Sequence, residues 1–483
     1  MMKQTSNVGT GRSAWSGRLL SLAIAPIALS CATPERDVLA IRDVTVFPAT
    51  GASATEGLTV LIRGTRIDSI GPASRVEVPE GARVIEGRGG TLIPGLIEMH
   101  AHVSKTRASA LGLFVAHGVT TVRDVGGDHQ ELVRWRGEVR SGTRLGPRLL
   151  LAGPYLESAS NIERMRGDPP ESRVEPFERA RIGIATPDQA RSMVDSLAGL
   201  DVDFLKIRTV QDLATYRALN QAADANGLQL VGHVSGLSPE TVIEAGQDGI
   251  EHWFYPTLDS LSREARMTLW RGLAQNGVVV VPTLVVMEKS ALAPPEQLRA
   301  MLADSLGEVE PRRRYISRFL LADWAEQLLE IAGPEQRPLL EQAYDSTIRN
   351  VREMHEAGVT LVTGSDVAVL NIYPGSSLHD EIVLFVERLG MTPQEALERA
   401  TRMPAEFLGI ADSVGTVAAG NVADLVLLEA SPLDDIRNVN RVAAVILRGR
   451  AFEQAELAGI VAATDTALDQ RINDWQRESG PPR

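Results

Sequence analysis

Eight short apolar runs recur between residues 92 and 362, and they constrain the fold of this chain more than any other feature. Helical patterns such as Pro187–Leu200 and Leu213–Ala225 lie between them. Strands of a parallel sheet are buried on both faces, so they read as continuous apolar runs that alternate with helices. Eight such units predict an α/β fold, a closed (β/α)8 TIM barrel. The predicted strands are Leu92–Met99, Val119–Val122, Arg148–Leu151, Phe204–Ile207, Leu228–Val231, Gly249–Ile250, Val278–Val281 and Val359–Val362.

Both ends of the chain are β-rich in a different way. Strand-like runs separated by glycine-containing turns occupy residues 36–91, and a matching pattern returns at residues 413–455. Two β-rich ends around a long middle predict one small β-sandwich domain built from both termini. The barrel then occupies residues 92–412, with two or three helices at residues 285–350 over or beside its mouth. Residues 456–483 are predicted to be a C-terminal tail.

The first 31 residues have the pattern of a secretory signal. Three basic residues precede the apolar run Leu19–Leu29, which is too short to span a bilayer and ends beside small residues. The segment Ala28–Cys31 resembles a bacterial lipobox, which would make Cys31 the lipidated first residue of the mature protein. Ordinary cleavage near Ala32 is the alternative. We therefore expect an exported bacterial protein, either periplasmic or anchored to the membrane as a lipoprotein.

Composition narrows the chemistry that the chain can perform. The formal net charge of −13 gives no electrostatic support for a nucleic-acid partner. The single cysteine excludes intramolecular disulfides and a thiolate metal cluster. Any metal ion must therefore be held by imidazole and carboxylate groups, which makes the positions of the eight histidines informative.

Half of the histidines fall at the ends of predicted barrel strands. Functional side chains of such a barrel lie at the carboxyl ends of its strands. His100 and His102 follow the first strand, and their i, i+2 spacing points both rings to the same side. A single histidine at a strand end is more often a packing residue than a ligand, but independent placement would scatter such residues over helices and loops. The predicted ligand cluster comprises His100, His102, His233, His252 and Asp366, and Lys206 lies at the end of the fourth strand.

Four further residues are candidates for substrate contact. Arg208 lies two residues past Lys206, and its guanidinium could bind a substrate carboxylate or pair with an acidic residue of a neighbouring loop. Tyr155 and Tyr255 follow the third and sixth predicted strands, where they could line the pocket or only pack. His379 follows the eighth strand and could reach the substrate or be structural.

Two segments carry a resemblance to a known family. The segment Leu92–His102 resembles the opening metal motif of the amidohydrolase superfamily, and Gly415–Val426 resembles the return of that superfamily to its small β-sandwich. The resemblance covers roughly residues 38–455. Within the superfamily the chain is most similar to the imidazolonepropionase-like group, which includes exported Xaa-Pro dipeptidases. After Lys206, however, this chain has Ile207-Arg208-Thr209 where the dipeptidase branch often has Ser-Gly-Gly.

The resemblance implies two divalent metal ions and a division of the ligands between them. The first two histidines of the cluster and Asp366 would hold the more buried ion, and His233 with His252 the more exposed one. Lys206 would bridge the two as a carbamate formed with CO2, for which its ammonium must first lose a proton. The alternative is an unmodified Lys206 that pairs with Asp366 in a one-metal site. Zinc suits imidazole and carboxylate ligands, and manganese or cobalt could occupy the same site.

The function implied by the resemblance is hydrolysis of an amide or peptide C–N bond in a dipeptide or an N-acyl amino acid. The attacking water would be activated by the metal ions, with Asp366 as general base and then general acid. The alternatives are a one-metal hydrolase of a cyclic amide or a deaminase, and a non-catalytic exported binding lipoprotein. The expected partner is a small-molecule amide, and a homo-oligomer is implied only by analogy with the family.

Overall fold

The structure is a computed structural model of the 483-residue chain that describes residues 38–166, 177–233, 237–252 and 256–464. The predicted signal at residues 1–31, with Cys31, and the candidate Tyr255 lie outside the described residues. Within those described ranges, no helix is both long and apolar enough to cross a membrane.

The strands are numbered in chain order. They are β1 (Val38–Val46), β2 (Thr55–Arg63), β3 (Arg66–Pro72), β4 (Arg83–Glu86), β5 (Thr91–Pro94), β6 (Leu96–Ala101), β7 (Val119–Asp124), β8 (Arg148–Leu151), β9 (Tyr155–Ser158), β10 (Arg181–Ile184), β11 (Leu205–Ile207), β12 (Leu230–Gly232), β13 (Gly249–Glu251), β14 (Val279–Val281), β15 (Thr360–Leu361), β16 (Leu425–Leu428), β17 (Val442–Leu447) and β18 (Arg450–Glu453).

The α-helices are numbered in the same way. They are α1 (Val103–Thr106), α2 (Leu111–Ala116), α3 (His129–Arg140), α4 (Ala159–Arg166), α5 (Phe177–Ala180), α6 (Pro187–Ala198), α7 (Leu213–Ala225), α8 (Pro239–Ala245), α9 (Arg263–Gln275), α10 (Leu284–Val286), α11 (Pro295–Ala303), α12 (Arg318–Ile331), α13 (Gln336–Glu356), α14 (Ser376–Glu387), α15 (Pro393–Glu398) and α16 (Arg402–Phe407). A last helical stretch covers residues 454–464.

The middle of the chain forms the predicted TIM barrel. β6, β7 and β8 pair in parallel, and β9, β11, β12, β13, β14 and β15 continue the parallel order. The amide of His102 donates to the carbonyl of Val367 at 2.9 Å, which joins the end of β6 to the segment after β15 and closes the ring. Because all these strands are parallel, their carboxyl ends meet at one rim of the barrel.

Two predicted helix boundaries follow from local capping. Thr186 caps α6 by accepting a hydrogen bond from the Gln189 amide, and Pro187 occupies the first turn, where its missing N–H costs nothing. Asp212 caps α7 in the same way, accepting from the Thr215 amide at 2.7 Å. These caps explain why the two predicted helices begin at Pro187 and Leu213.

The predicted first strand, Leu92–Met99, is in fact two strands. Thr91–Pro94 belongs to the terminal sheet as β5, and the barrel strand β6 begins only at Leu96. Gly95 forms the junction: its amide donates to Asp424 O at 2.8 Å, and a Cβ there would lie 2.1 Å from Thr120 Oγ1. The sequence does not show where the chain passes from one sheet to the other, because the residues on both sides of Gly95 are buried and apolar.

The third barrel position is also divided, and the sequence pattern did not predict this. β8 pairs with β7, whereas β9 pairs with β11, and the chain turns between them at Gly153, whose φ is +77°. β10 adds a further parallel strand beside β9. Tyr155 therefore lies at the start of a strand rather than in a loop.

Both termini contribute to one mixed sheet, as predicted. Its order is β18-β17-β16-β5-β1-β2-β3, with β4 paired to β1. The C-terminal strand β16 runs antiparallel to the N-terminal strand β5, with Val426 opposite Ile93. Leu39 and Ile41 of β1 belong to one apolar cluster, and Val38 and Ala40, which alternate with them, belong to a second, smaller one.

The segment between β14 and β15 adds helices to the barrel. Two or three were predicted, and α11, α12 and α13 are the longer ones. α13 packs against α9, where Arg266 and Glu353 form a bidentate ion pair at 2.8 Å. We call Leu284–Ile331, which contains α10 to α12, the mouth insertion. It shares an apolar cluster with residues 368–373 of the loop after β15.

Candidate metal centre

Two strand ends bring three predicted ligands together. His100 and His102 lie on and just after β6, and Asp366 follows β15. One potential ligand atom from each lies within 4.8 Å of the other two. The Nε2 atoms of His100 and His102 are 3.3 and 3.1 Å from Asp366 Oδ1. Barrel closure thus places side chains that are more than 260 residues apart around one carboxylate.

The ends of β12 and β13 contribute two more histidines. His252 Nε2 is 3.5 Å from Asp366 Oδ2, and the His252 ring lies 4.5 Å from that of His100. The rings of His233 and His252 are 5.1 Å apart. His252 and Asp366 have φ values of +65° and +54°. Such backbone is disfavoured for residues with a side chain and is concentrated at functional sites.

The ring nitrogens turned away from the cluster are held by neighbours. His100 Nδ1 donates to Glu251 Oε2 at 2.7 Å, and His102 Nδ1 lies 2.9 Å from the Tyr155 hydroxyl. His252 Nδ1 is 2.7 Å from Thr283 Oγ1, whose own proton goes to a backbone carbonyl, so the imidazole is the donor. Each of the three rings therefore presents Nε2 to Asp366, the orientation that ligating histidines adopt.

Burial keeps these rings neutral at pH 7. It lowers the pKa of His252 to about 4, and it lowers the pKa values of His100 and His233 well below the ordinary value. A neutral ring that donates from Nδ1 has a lone pair on Nε2. For Asp366, burial acts to raise the pKa, but the positive charge that His100 and His252 carry when protonated and the hydrogen bond with His102 lower it well below its usual range. The carboxylate is therefore ionised.

Three buried polar atoms of the predicted ligand residues have no hydrogen-bond partner among the described residues. They are His100 Nε2, Asp366 Oδ1 and Lys206 Nζ. The first two face each other at 3.3 Å with lone pairs on both, an arrangement that is repulsive unless a cation lies between them. Burial lowers the pKa of Lys206 to about 7, so its amine is largely neutral in weakly alkaline solution. These donor atoms fit a divalent cation.

Glu251 and Arg123 form a buried layer behind the cluster that the sequence prediction missed. Glu251 accepts from His100 and also pairs with Arg123, and both side chains are at most 1% exposed. Burial acts to raise the Glu251 pKa, but Arg123 outweighs it and the pKa is well below its usual value. Arg123 also donates to Met99 O at 2.7 Å. Charged residues inside otherwise apolar strands were the available sequence signal.

Glu98 forms hydrogen bonds with both chain segments that carry His100 and Asp366. One of its oxygens accepts from the amides of His100 and Ser365 at 2.9 and 2.8 Å, and the other accepts from the Ser365 hydroxyl at 2.6 Å. These bonds tie β6 to the segment that precedes Asp366. Burial raises the pKa of Glu98 to about 7 despite them. Glu98 lies in the predicted metal motif, but the motif alone predicts no role for it.

Tyr155 links the cluster to the barrel mouth. The guanidinium groups of Arg181 and Arg208 lie over its ring at 5.0 and 5.4 Å. Both also approach Glu157, at 3.8 and 3.7 Å. The Arg208 side chain is 35% exposed, whereas that of Arg181 is 9% exposed. Arg208 is therefore the one that a ligand in the mouth could reach.

His379 has a different environment from the other candidates. Its Nε2 donates to the carbonyl of His117 at 2.8 Å, and its Nδ1 lies 3.1 Å from Asn440 Oδ1. The residue is 1% exposed on α14. These contacts give it a packing role between α2 and the terminal part of the chain, and we do not assign it a substrate contact.

Comparison with known proteins agrees with this architecture. The chain matches the amidohydrolase family over residues 91–452. An ochratoxinase of Aspergillus niger is 34% identical over 125 residues, which are 26% of this chain and 24% of that protein. The imidazolonepropionase of Anaeromyxobacter dehalogenans is 25% identical over 443 residues, 85% of this chain and 94% of that protein. A crystal structure of a Xaa-Pro dipeptidase with bound methionine has a TM-score of 0.65 at 23% identity, covering 86% of this chain and 100% of that one.

The family match covers most of the chain, and the structural similarity extends over the barrel and the terminal sheet together. The chain therefore belongs to the amidohydrolase family. It shares that family's fold, and the family identifies it as a hydrolase of carbon–nitrogen bonds with a metal-binding cluster of histidine and aspartate. The matched region spans only about a quarter of the ochratoxinase, so that protein's activity is not transferred by the match.

Proposed function

We propose that this protein hydrolyses the amide bond of a dipeptide or an N-acyl amino acid in a centre that contains two divalent metal ions. The observation that carries the proposal is the set of Nε2 atoms turned toward Asp366. The buried atoms His100 Nε2, Asp366 Oδ1 and Lys206 Nζ also lack a hydrogen-bond partner among the described residues. A water-filled pocket would not require this arrangement of lone pairs.

The residues divide between two ions in the proposed centre. His100, His102 and Asp366 would hold the more buried ion, His233 and His252 would hold the other, and Lys206 as a carbamate would be a ligand shared by both. Zinc is the preferred metal for this donor set. When bound, the ions supply Lewis acidity that polarises the scissile carbonyl and lowers the pKa of a water molecule. A pKa near 7 suits Lys206 to this role, because only a neutral amine reacts with CO2.

Asp366 performs the proton transfer in this proposal. Its carboxylate is ionised and lies beside three imidazoles, where it would accept a proton from the attacking water. It then donates that proton to the leaving nitrogen, because an amide nitrogen leaves as an amine only once protonated. Glu251 and Thr283 keep the rings of His100 and His252 oriented throughout.

A substrate carboxylate is the feature that Arg208 would recognise. Its guanidinium is partly exposed and lies over the ring of Tyr155. Its ion pair with Glu157 is long, at 3.7 Å. A guanidinium can bind a carboxylate through two parallel hydrogen bonds. The relatives named for dipeptides and imidazolone propionate support a small amide bearing a carboxylate.

A substrate panel on zinc-reconstituted protein tests this proposal. It should include dipeptides, N-acyl amino acids, cyclic amides and lactones, each also with the carboxylate blocked as an amide. We expect Arg208→Met to raise KM for the free acids about tenfold to a hundredfold, with little change in kcat and no effect on blocked substrates. Arg181→Met is the matched control, since it lies over the same ring but is buried. Equal KM changes on free and blocked substrates would contradict the carboxylate contact.

Lys206→Ala tests the bridge. We expect the zinc content to fall from two ions to one per chain and kcat to fall about 100-fold or more, because the shared ligand is lost. Added propionate should restore part of the activity, by supplying a carboxylate in the vacated space, and should leave the wild type unchanged. A variant that retains both ions and full activity would refute the carbamate.

A one-metal hydrolase of a cyclic amide is the second candidate, because the similarity to an imidazolonepropionase extends over 85% of this chain. One tight ion per wild-type chain, together with turnover of cyclic amides only, would favour it.

We also propose export, as a periplasmic protein or a lipoprotein anchored through Cys31, on the sequence pattern of residues 1–31. Mass analysis of the mature N-terminus tests this, since an unprocessed Met1 contradicts it.

A further inference from the structure

The loop that carries Asp366 has an unfavourable backbone. Besides Asp366, two other residues with side chains have positive φ values: Ala368 at +143° and Asn371 at +63°. Three such residues within six positions are costly for a free loop, because left-handed backbone brings Cβ against the neighbouring peptide. The conformation persists only where surrounding groups hold it.

The holding groups come from the mouth insertion. The indole of Trp324 on α12 donates to the carbonyl of Ala368 at 2.8 Å. One turn further along the same helix, Gln327 accepts from the amide of Leu370 at 2.9 Å. The side chain of Asn371 donates to the carbonyl of Lys289, also in the insertion, at 2.8 Å.

Apolar packing reinforces these hydrogen bonds. Trp324 is fully buried and contacts the ring of Tyr373 edge-on, with centroids 5.5 Å apart. Ala368, Leu370 and Tyr373 belong to the same apolar cluster as residues of α11 and α12. On the opposite side, the Val367 carbonyl is held by the amide of His102 at 2.9 Å. The loop is thus clamped between β6 and α12.

We propose that Trp324 and Gln327 are positioning residues that hold the Asp366 loop, and through it the carboxylate, against His100 and His102. Neither residue contacts the cluster itself; both act on the backbone two to four residues beyond Asp366. The role in metal binding rests on the proposed function, whereas the role in holding the loop does not. The mouth insertion therefore supports the ligand cluster through the backbone of the Asp366 loop.

Two variants and one control test the proposal. Trp324→Phe removes the indole donor and keeps an aromatic ring, and Gln327→Met removes the acceptor at similar volume. Trp270→Phe is the matched control: Trp270 is equally buried, and its indole donates to Glu353 at 3.3 Å on the outer helices. Amide hydrogen exchange is measured on metal-free protein, and zinc affinity is measured by chelator competition.

We expect amides of residues 367–372 to exchange at least about tenfold faster in Trp324→Phe and Gln327→Met, and zinc to bind about tenfold to a hundredfold more weakly. Trp270→Phe should lower the melting temperature and change neither quantity. Unchanged exchange in both variants overturns the clamp. Faster exchange with wild-type zinc affinity overturns the positioning role alone. If the wild type binds no zinc, the proposed function fails while the exchange data still decide the clamp.

Discussion

Asp366→Asn should reduce kcat by about 10³-fold or more on any substrate that the wild-type enzyme hydrolyses, with a much smaller change in melting temperature. Asparagine has nearly the same shape as aspartate, so the loop and its packing remain. It lacks the negative charge that three imidazole Nε2 atoms face and the basic oxygen that accepts a proton. Steady-state kinetics on the zinc-loaded proteins is the measurement.

Asp380→Asn is the control for this experiment. Asp380 lies on α14 and approaches Lys289 and Arg312 at 3.7 and 3.9 Å, outside the ligand cluster. We expect its kcat to stay within about twofold of the wild type, because its carboxylate pairs with Lys289 and Arg312 and not with the ligand histidines. If Asp366→Asn and Asp380→Asn were equally active, the proposed chemistry at Asp366 would be wrong.

Arg123→Met should lower the free energy of unfolding by about 3–5 kcal/mol, the largest stability effect that we expect for one substitution. Methionine fills much of the space but leaves Glu251 as a buried charge without its guanidinium partner. The side chains of both residues are at most 1% exposed, so water cannot replace the lost interaction. Urea unfolding followed by circular dichroism measures the difference.

An exposed ion pair provides the comparison for Arg123. Arg441 and Glu429 are 3.1 Å apart with side chains 54% and 38% exposed. Arg441→Met should therefore cost no more than about 1 kcal/mol. A loss for Arg123→Met as small as that for Arg441→Met would show that the Glu251 charge is relieved in some other way, such as by protonation.

The positions of the ligand cluster residues could be predicted from local sequence patterns and one rule about barrels. His100 and His102 could be predicted because an i, i+2 pair at the end of an apolar strand has one geometric meaning. His233, His252, Lys206 and Asp366 were found through the rule that parallel barrel strands end at one rim. The structure places the Asp366 carboxylate 3.1, 3.3 and 3.5 Å from the Nε2 atoms of His102, His100 and His252. Their roles as metal ligands stay predictions.

Errors in the predicted elements have a common origin. The run Leu92–Met99 looked like one strand because burial on both sides of Gly95 gives the same apolar letters, although two different sheets receive its halves. β9 and β10 were missed because they are short and include polar residues such as Glu157 and Arg181, which pair with each other across the sheet. The composition of a short sequence segment indicates whether its residues are buried. It does not indicate which strand or helix packs against them.

The alternation of strands and helices, the positions of the histidines at strand ends and the family motif were all present in the amino-acid sequence alone. Only the tertiary structure decided which neighbours orient these histidines. Glu251 lies 151 residues from His100, and Trp324 lies 44 residues from Ala368. Long-range contacts of this kind produce no repeating pattern in the amino-acid sequence. A buried polar group can form its hydrogen bond with any donor or acceptor that the fold brings close, whatever its position in the chain.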